Sequence, residues 1–120
     1  MPQPKNQELE FRNVVFETVA IFYNREDAEI DLQDLTNEGS STKIMGDPKL
    51  YSRVISNLII NGIQAVLEGK KPQILVKLVF EGDNHIKLII KDNGKGISEE
   101  FKTKVFMPNF RRLRLRFGDC

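Results

Sequence analysis

"DPKLYSRVISNLIINGIQAV", residues 47–66, is the stretch from which the fold can be read outward. Asp47 followed by Pro48 is a helix start: the aspartate side chain can accept an orphan backbone N–H of the first turn, and proline stands where no N–H is needed. Leu50, Val54, Leu58, Ile59, Ala65 and Val66 then fall near one broad apolar face, and the helix is expected to end by "EGKK", with Gly69 as its terminator. Asn57 and Asn61, four residues apart, stand above one another in the middle of this greasy run. Asparagine is a poor helix former and costs desolvation when buried without partners, so something must satisfy the pair. The plain reading is two boundary asparagines bonded to water or backbone. The sharper one is a carboxamide oxygen on a hard divalent cation, Mg²⁺, that also holds phosphates. Gly62 costs helix stability and is easiest to rationalise where something must approach the backbone.

Residues 1–7 read as a loose polar lead. In "LEFRNVVFETVAIFYN" the residues Phe11, Val14, Val15, Thr18, Val19 and Phe22 recur at helical spacing and predict a first helix from Leu9 onward. "EIDLQDL" alternates Ile30, Leu32 and Leu35 against polar residues and predicts a half-exposed strand; "TNEGSS" reads as a turn and "TKIMG" as a second short extended piece. Beyond the long helix, "QILVKLVF" and "IKLIIK" flank "EGDNH" as a hairpin. Helices and antiparallel strands without a repeating β-α-β unit predict an α+β two-layer sandwich, helices on a mixed, mainly antiparallel sheet.

The chain has 120 residues and 40% hydrophobic content, which suits one core rather than two. The net charge is +1, but the last ten residues, "RRLRLRFGDC", carry four Arg against one Asp, a local +3 that leaves the preceding 110 residues at −2. Global charge therefore indicates no polyanionic partner, and the basic end has neither the flanking aromatics nor a recognisable fold for binding nucleic acid. Cys120 is the only cysteine, which excludes an internal disulfide and fits a reducing compartment. No stretch has membrane-span length and the first residues lack the order of a secretion signal, so a cytoplasmic location without membrane contact is expected, while a parent protein could still be membrane-anchored.

"KDNGKGISEE", residues 91–100, adds an aspartate with glycines two and four positions on. Taken with residues 47–66 and with "KVFMPNF", residues 104–110, it carries a resemblance: the three segments resemble, in order and spacing, the N box, G1 box and F box of the sensor histidine kinase ATP-binding domain, within the wider GHKL or Bergerat ATPase family. The resemblance covers about Phe11 to Phe110 and places an ATP-binding domain at 8–110, followed by a basic non-family tail at 111–120. It implies ATP and Mg²⁺ as cofactors. By it, Asn61 matches the asparagine that binds Mg²⁺ between the phosphates, and Asn57 the polar position one turn earlier that orients metal or phosphoryl group. Gln64 stands where many relatives have a basic residue reaching the phosphates. Asp92 matches the acceptor for the adenine amino group, Gly94 and Gly96 the tight backbone path beside the base, and Ile97 the pocket wall, with Ile63 or Val66 nearby. Gly62 departs from the usual alanine. Independently of family, a carboxylate facing an amino group rejects guanine, which presents a carbonyl there.

The implied activity is Mg-dependent transfer of the ATP γ-phosphoryl group to a histidine on a separate dimerisation domain, with a response regulator as partner of the parent system. Two parts of the family pattern are missing from this sequence. No second glycine-rich box follows "PNF", and His85, the only histidine, sits in the expected hairpin turn without the acidic neighbour of a phospho-acceptor. Activity of this chain alone is therefore not expected. The tail reads as a strand, a basic arm, or the product of a shifted frame or truncation; the last is favoured and implies an exposed patch through which two copies could pair. Two alternatives stay open: a degenerate GHKL-fold docking module, and a serine kinase of the anti-sigma type. A water-activating ATPase is disfavoured because Asn57 stands where other branches place a Glu.

Overall fold

In the computed structural model, which describes residues 6–36, 39–94 and 98–106, the chain runs β1 (Gln7–Glu10), α1 (Phe11–Phe22), β2 (Glu29–Asp34), β3 (Lys43–Gly46), α2 (Pro48–Gln64), β4 (Gln73–Glu81), β5 (His85–Asp92) and β6 (Ser98–Lys104). A four-stranded sheet has the order β2-β4-β5-β6, with β2 parallel to β4 and the other pairs antiparallel; β1 and β3 form a separate antiparallel pair. This is the expected α+β architecture of helices on a mixed, mainly antiparallel sheet. Gly96, Ile97, the F-box residues 107–110 and the basic tail 111–120 lie outside the described residues. Among the described residues no helix is long and apolar enough to cross a membrane.

The alternation in β4 and β5 builds the core. Ile74, Val76 and Leu78 share a buried face with Ile86, Leu88 and Ile90, because the register sets Val76 opposite Ile90 and Leu78 opposite Leu88. On this face lie α1, which buries the six residues its periodicity marked (Phe11, Val14, Val15, Thr18, Val19 and Phe22), and α2 through Ile55, Ile59 and Gly62. Tyr51 of α2, Phe11 of α1 and Phe101 of β6 form an aromatic triangle with centroid separations of 5.7, 5.7 and 6.0 Å. Rings in edge and tilted contact at this range add to their area burial.

Four local expectations change. The first helix begins at Phe11, not Leu9, because Leu9 pairs with Ile44 across β1 and β3 while the Glu10 carboxylate accepts hydrogen bonds from the Thr42 amide (3.0 Å) and hydroxyl (2.8 Å), which holds this segment extended. In the long helix the buried stripe is Ile55, Ile59 and Gly62, with Tyr51, Leu58 and Ile63 at its margin; Leu50 is 42% exposed. That helix also ends at Gln64, with Ala65 as its cap, and Gly69 (φ 89°) instead serves the turn that returns the chain to β4. His85 opens β5 opposite Glu81 rather than lying in the hairpin turn, whose tight position is Gly82 (φ 66°).

Candidate functional site

The last turns of α2 cross the ends of β5 and β6 and leave a cleft of ≈ 170 Å³ between them, lined by Leu58, Asn61, Gly62, Ala65, Ile90, Asp92 and Glu99. Helix α2 is set by its start: Asp47 accepts the Lys49 N–H at 3.0 Å and Pro48 occupies the first position, as the sequence indicates. From there the 3.6-residue period carries Asn61 to the cleft beside Gly62. Gly62 lies buried against the sheet. A Cβ there would lie 3.2 Å from Ile74 Cδ1, 3.7 Å from Asp92 Cβ and 3.8 Å from Ile90 Cγ2, so what approaches the helix backbone is the sheet's own floor.

Asp92 closes β5 and is half-buried; its Oδ1 accepts the Gly94 N–H at 2.8 Å, a local turn in which its other oxygen has no partner among the described residues. Gly94 then runs against the end of α2: a Cβ would stand 2.5 Å from the Ala65 carbonyl oxygen and 2.9 Å from Val66 Cα. Both obstacles are backbone, so only glycine fits this approach. Thus Asn61, Asp92 and Gly94 meet at one end of the sandwich. Asn57 and Gln64 are exposed on α2 and do not line the cleft. Of the candidates for an apolar wall, Ile63 packs into the core, and the wall seen among the described residues is Leu58, Ala65 and Ile90.

Two residues not marked by the sequence also act here. The Asn93 side chain accepts the Gln73 N–H at 2.9 Å and donates to the Lys71 carbonyl at 3.1 Å, while its own carbonyl accepts from Lys70 Nζ at 2.8 Å. Asn93 therefore ties the connection between α2 and β4 to the turn that carries Asp92. Glu99 faces the cleft from β6, opposite Ile90.

Residues 46–118 match the family described as histidine kinase-, DNA gyrase B- and HSP90-like ATPase, a span that includes every cleft residue named above and runs past the end of the motif resemblance at Phe110. Among similar proteins are the sensor histidine kinase ZraS of Salmonella typhi, 32% identical over 68% of this chain and 17% of the relative, and sporulation kinase D of Bacillus subtilis, 33% identical over 81% of this chain and 19% of the relative. The chain thus matches about a fifth of the length of these relatives or less. In three dimensions it resembles the mycobacterial sensor histidine kinase MprB (TM-score 0.61, 19% identity, 77% of this chain and 58% of that one). It also resembles the catalytic domain of histidine kinase ThkA (TM-score 0.63, 17% identity, 78% and 59%), a protein also solved in complex with the response regulator protein TrrA. With the match spanning more than half of its residues, this chain belongs to the histidine kinase-, DNA gyrase B- and HSP90-like ATPase family, on the side of the sensor histidine kinases.

Proposed function

We propose that the cleft between α2 and the ends of β5 and β6 takes ATP, and that the chain is the ATP-binding unit of a sensor histidine kinase. The observation that carries this reading is the convergence of Asp92 and Asn61 on one cleft whose tight backbone passage requires Gly94. Asp92 Oδ1 is taken by the Gly94 amide, which fixes the carboxylate and leaves one oxygen to accept the adenine amino group. Guanine presents a carbonyl at that place and meets a negative acceptor without a proton to share, so discrimination follows from chemistry alone.

Asn61 suits Mg²⁺ because it is an exposed neutral oxygen donor at the cleft, one turn from the equally exposed Asn57. Among the described residues no group of three or more His, Cys, Asp and Glu is placed to hold a metal. Asn61 would hold the ion with one protein oxygen, which suits a cation that usually keeps several waters and is bound together with substrate phosphates. When bound, the ion neutralises charge on the transferring phosphoryl group. Gly96 and Ile97 would extend the adenine side and Gln64 the phosphate side. The γ-phosphoryl group would pass to a histidine on a separate dimerisation domain, and a response regulator would take it onward in the cytoplasm.

The test is calorimetric titration of ATP and GTP into the chain, with and without Mg²⁺, for the wild type and Asp92→Asn. ATP should bind more tightly with Mg²⁺, GTP should not compete, and Asp92→Asn should weaken ATP by about tenfold or more, the value of one charge-assisted hydrogen bond. Equal affinity of wild type and variant, or no binding by folded protein, removes ATP from this cleft.

A further inference from the structure

Strand β6 breaks its own pattern at the cleft. Its residues opposite the buried Ile86, Leu88 and Ile90 are Thr103, Phe101 and Glu99, so all three belong to the face turned toward the helices. Phe101 fulfils that position by packing against Phe11 and Tyr51. Two residues earlier the same face presents a carboxylate. Glu99 Oε2 is shielded from solvent and has no hydrogen-bond partner among the described residues, whereas its neighbour Glu100, on the outer face, reaches Lys87 Nζ at 3.7 Å. A buried acceptor left open costs stability and calls for a partner that arrives from elsewhere. Local rules are broken in this way where a ligand binds.

We propose that Glu99 is a second acceptor for the nucleoside: it takes one N–H of the adenine amino group while Asp92 takes the other. The inference rests on the ATP reading of the same cleft. An exocyclic amine carries two donors that point apart, so a carboxylate in line with one of them leaves the other for a separate acceptor. Both residues line the cleft, with Ile90, the cross-strand partner of Glu99, between their positions in the sheet. Two acceptors on one amine make the site selective for the unsubstituted amino group.

The decisive experiment titrates ATP, and the triphosphate of purine riboside, which lacks the amine, into wild type, Glu99→Met, Glu99→Gln and Asp92→Asn. Methionine keeps the length of the side chain and removes both oxygens; glutamine keeps a neutral acceptor. Glu99→Met should bind ATP about tenfold more weakly and the amine-free analogue as the wild type does, with Glu99→Gln between. The ligand-free Glu99→Met protein should melt higher than wild type, which a merely structural role for the carboxylate would reverse. If Asp92→Asn weakens ATP and Glu99→Met does not, the Glu99 assignment fails and the cleft reading stands. If Glu99→Met weakens both nucleotides equally, the side chain shapes the wall and does not recognise the amine. If neither variant changes ATP binding, or the folded wild type binds no ATP, both readings fall together.

Discussion

A Cβ on Gly94 would stand 2.5 Å from the Ala65 carbonyl oxygen and 2.9 Å from the Ala65 carbonyl carbon. Neither atom can swing aside as a side-chain end could, so Gly94→Ala must push the turn after β5 away from the end of α2. The expected cost is about 1–3 kcal/mol in urea unfolding, the range for forced repacking. ATP affinity should fall with it, since the displaced turn carries the amide that fixes Asp92. A variant as stable as wild type would show that helix and turn are free to separate. At this scale much was legible: Asp92, Gly94 and Asn61 belong to contiguous motifs whose spacing is set by one helix and one turn. Glu99 was not legible, because its inward direction depends on the register that sets it opposite Ile90, and register is a property of two strands.

Between elements, the Asn93 side chain ties the connection from α2 to β4 to the turn after β5. Asn93 reaches that connection with hydrogen bonds to the backbone of Gln73 and Lys71, and Lys70 closes on the Asn93 carbonyl. Replacing Asn93 with alanine leaves the exposed Gln73 N–H to water and should cost about 0.5–1.5 kcal/mol. The specific sign is hydrogen exchange: the Gln73 amide should exchange faster, while the Ile89 amide in the centre of the sheet keeps its protection relative to global stability. Asn93→Asp, which keeps the acceptor and loses the donor, should protect Gln73 better than alanine does. Unchanged exchange at Gln73 in the alanine variant would mean the loop holds itself. Element types were readable from periodicity, and the buried face of α1 was read residue by residue. Ends were not. The start of α1 is decided by Glu10 binding Thr42 and the buried stripe of α2 by where the sheet lies, and both are contacts across more than 30 residues of sequence or between layers.

Across the whole molecule, the arrangement least visible in sequence is the joining of the small β1-β3 pair to the main sheet, where a polar network stands beside the buried Ile44. Arg12, in the first turn of α1, donates from Nε to Asp34 at the end of β2 (2.8 Å), from Nη1 to the Ser40 carbonyl (3.1 Å) and from Nη2 to the Thr36 hydroxyl (2.5 Å). Its backbone N–H meets the Thr42 hydroxyl at 3.0 Å, and Thr42 in turn binds Glu10. Burial alone would raise the Asp34 carboxyl, but hydrogen bonds from the Thr36 hydroxyl and amide and from Arg12, with the guanidinium charge, outweigh it and hold it below the usual carboxylate range. Glu10 follows the same balance: burial pushes it up, and Thr42, Ser41 and Lys43 bring it lower. A carboxyl whose folded-state value is depressed contributes stability above its unfolded-state value, and that contribution is lost as pH falls through the folded-state value. Stability should therefore be flat from neutral pH down to the ordinary carboxylate range and fall below it. Asp34→Asn should cost about 1–3 kcal/mol at pH 7, as for a hydrogen-bonded charged group, and its difference from wild type should hold constant down to the ordinary carboxylate range and shrink only below it. Urea midpoints for both proteins between pH 7 and pH 3 test this; parallel curves would show that Asp34 keeps its proton affinity on folding and that the joint is held by packing alone.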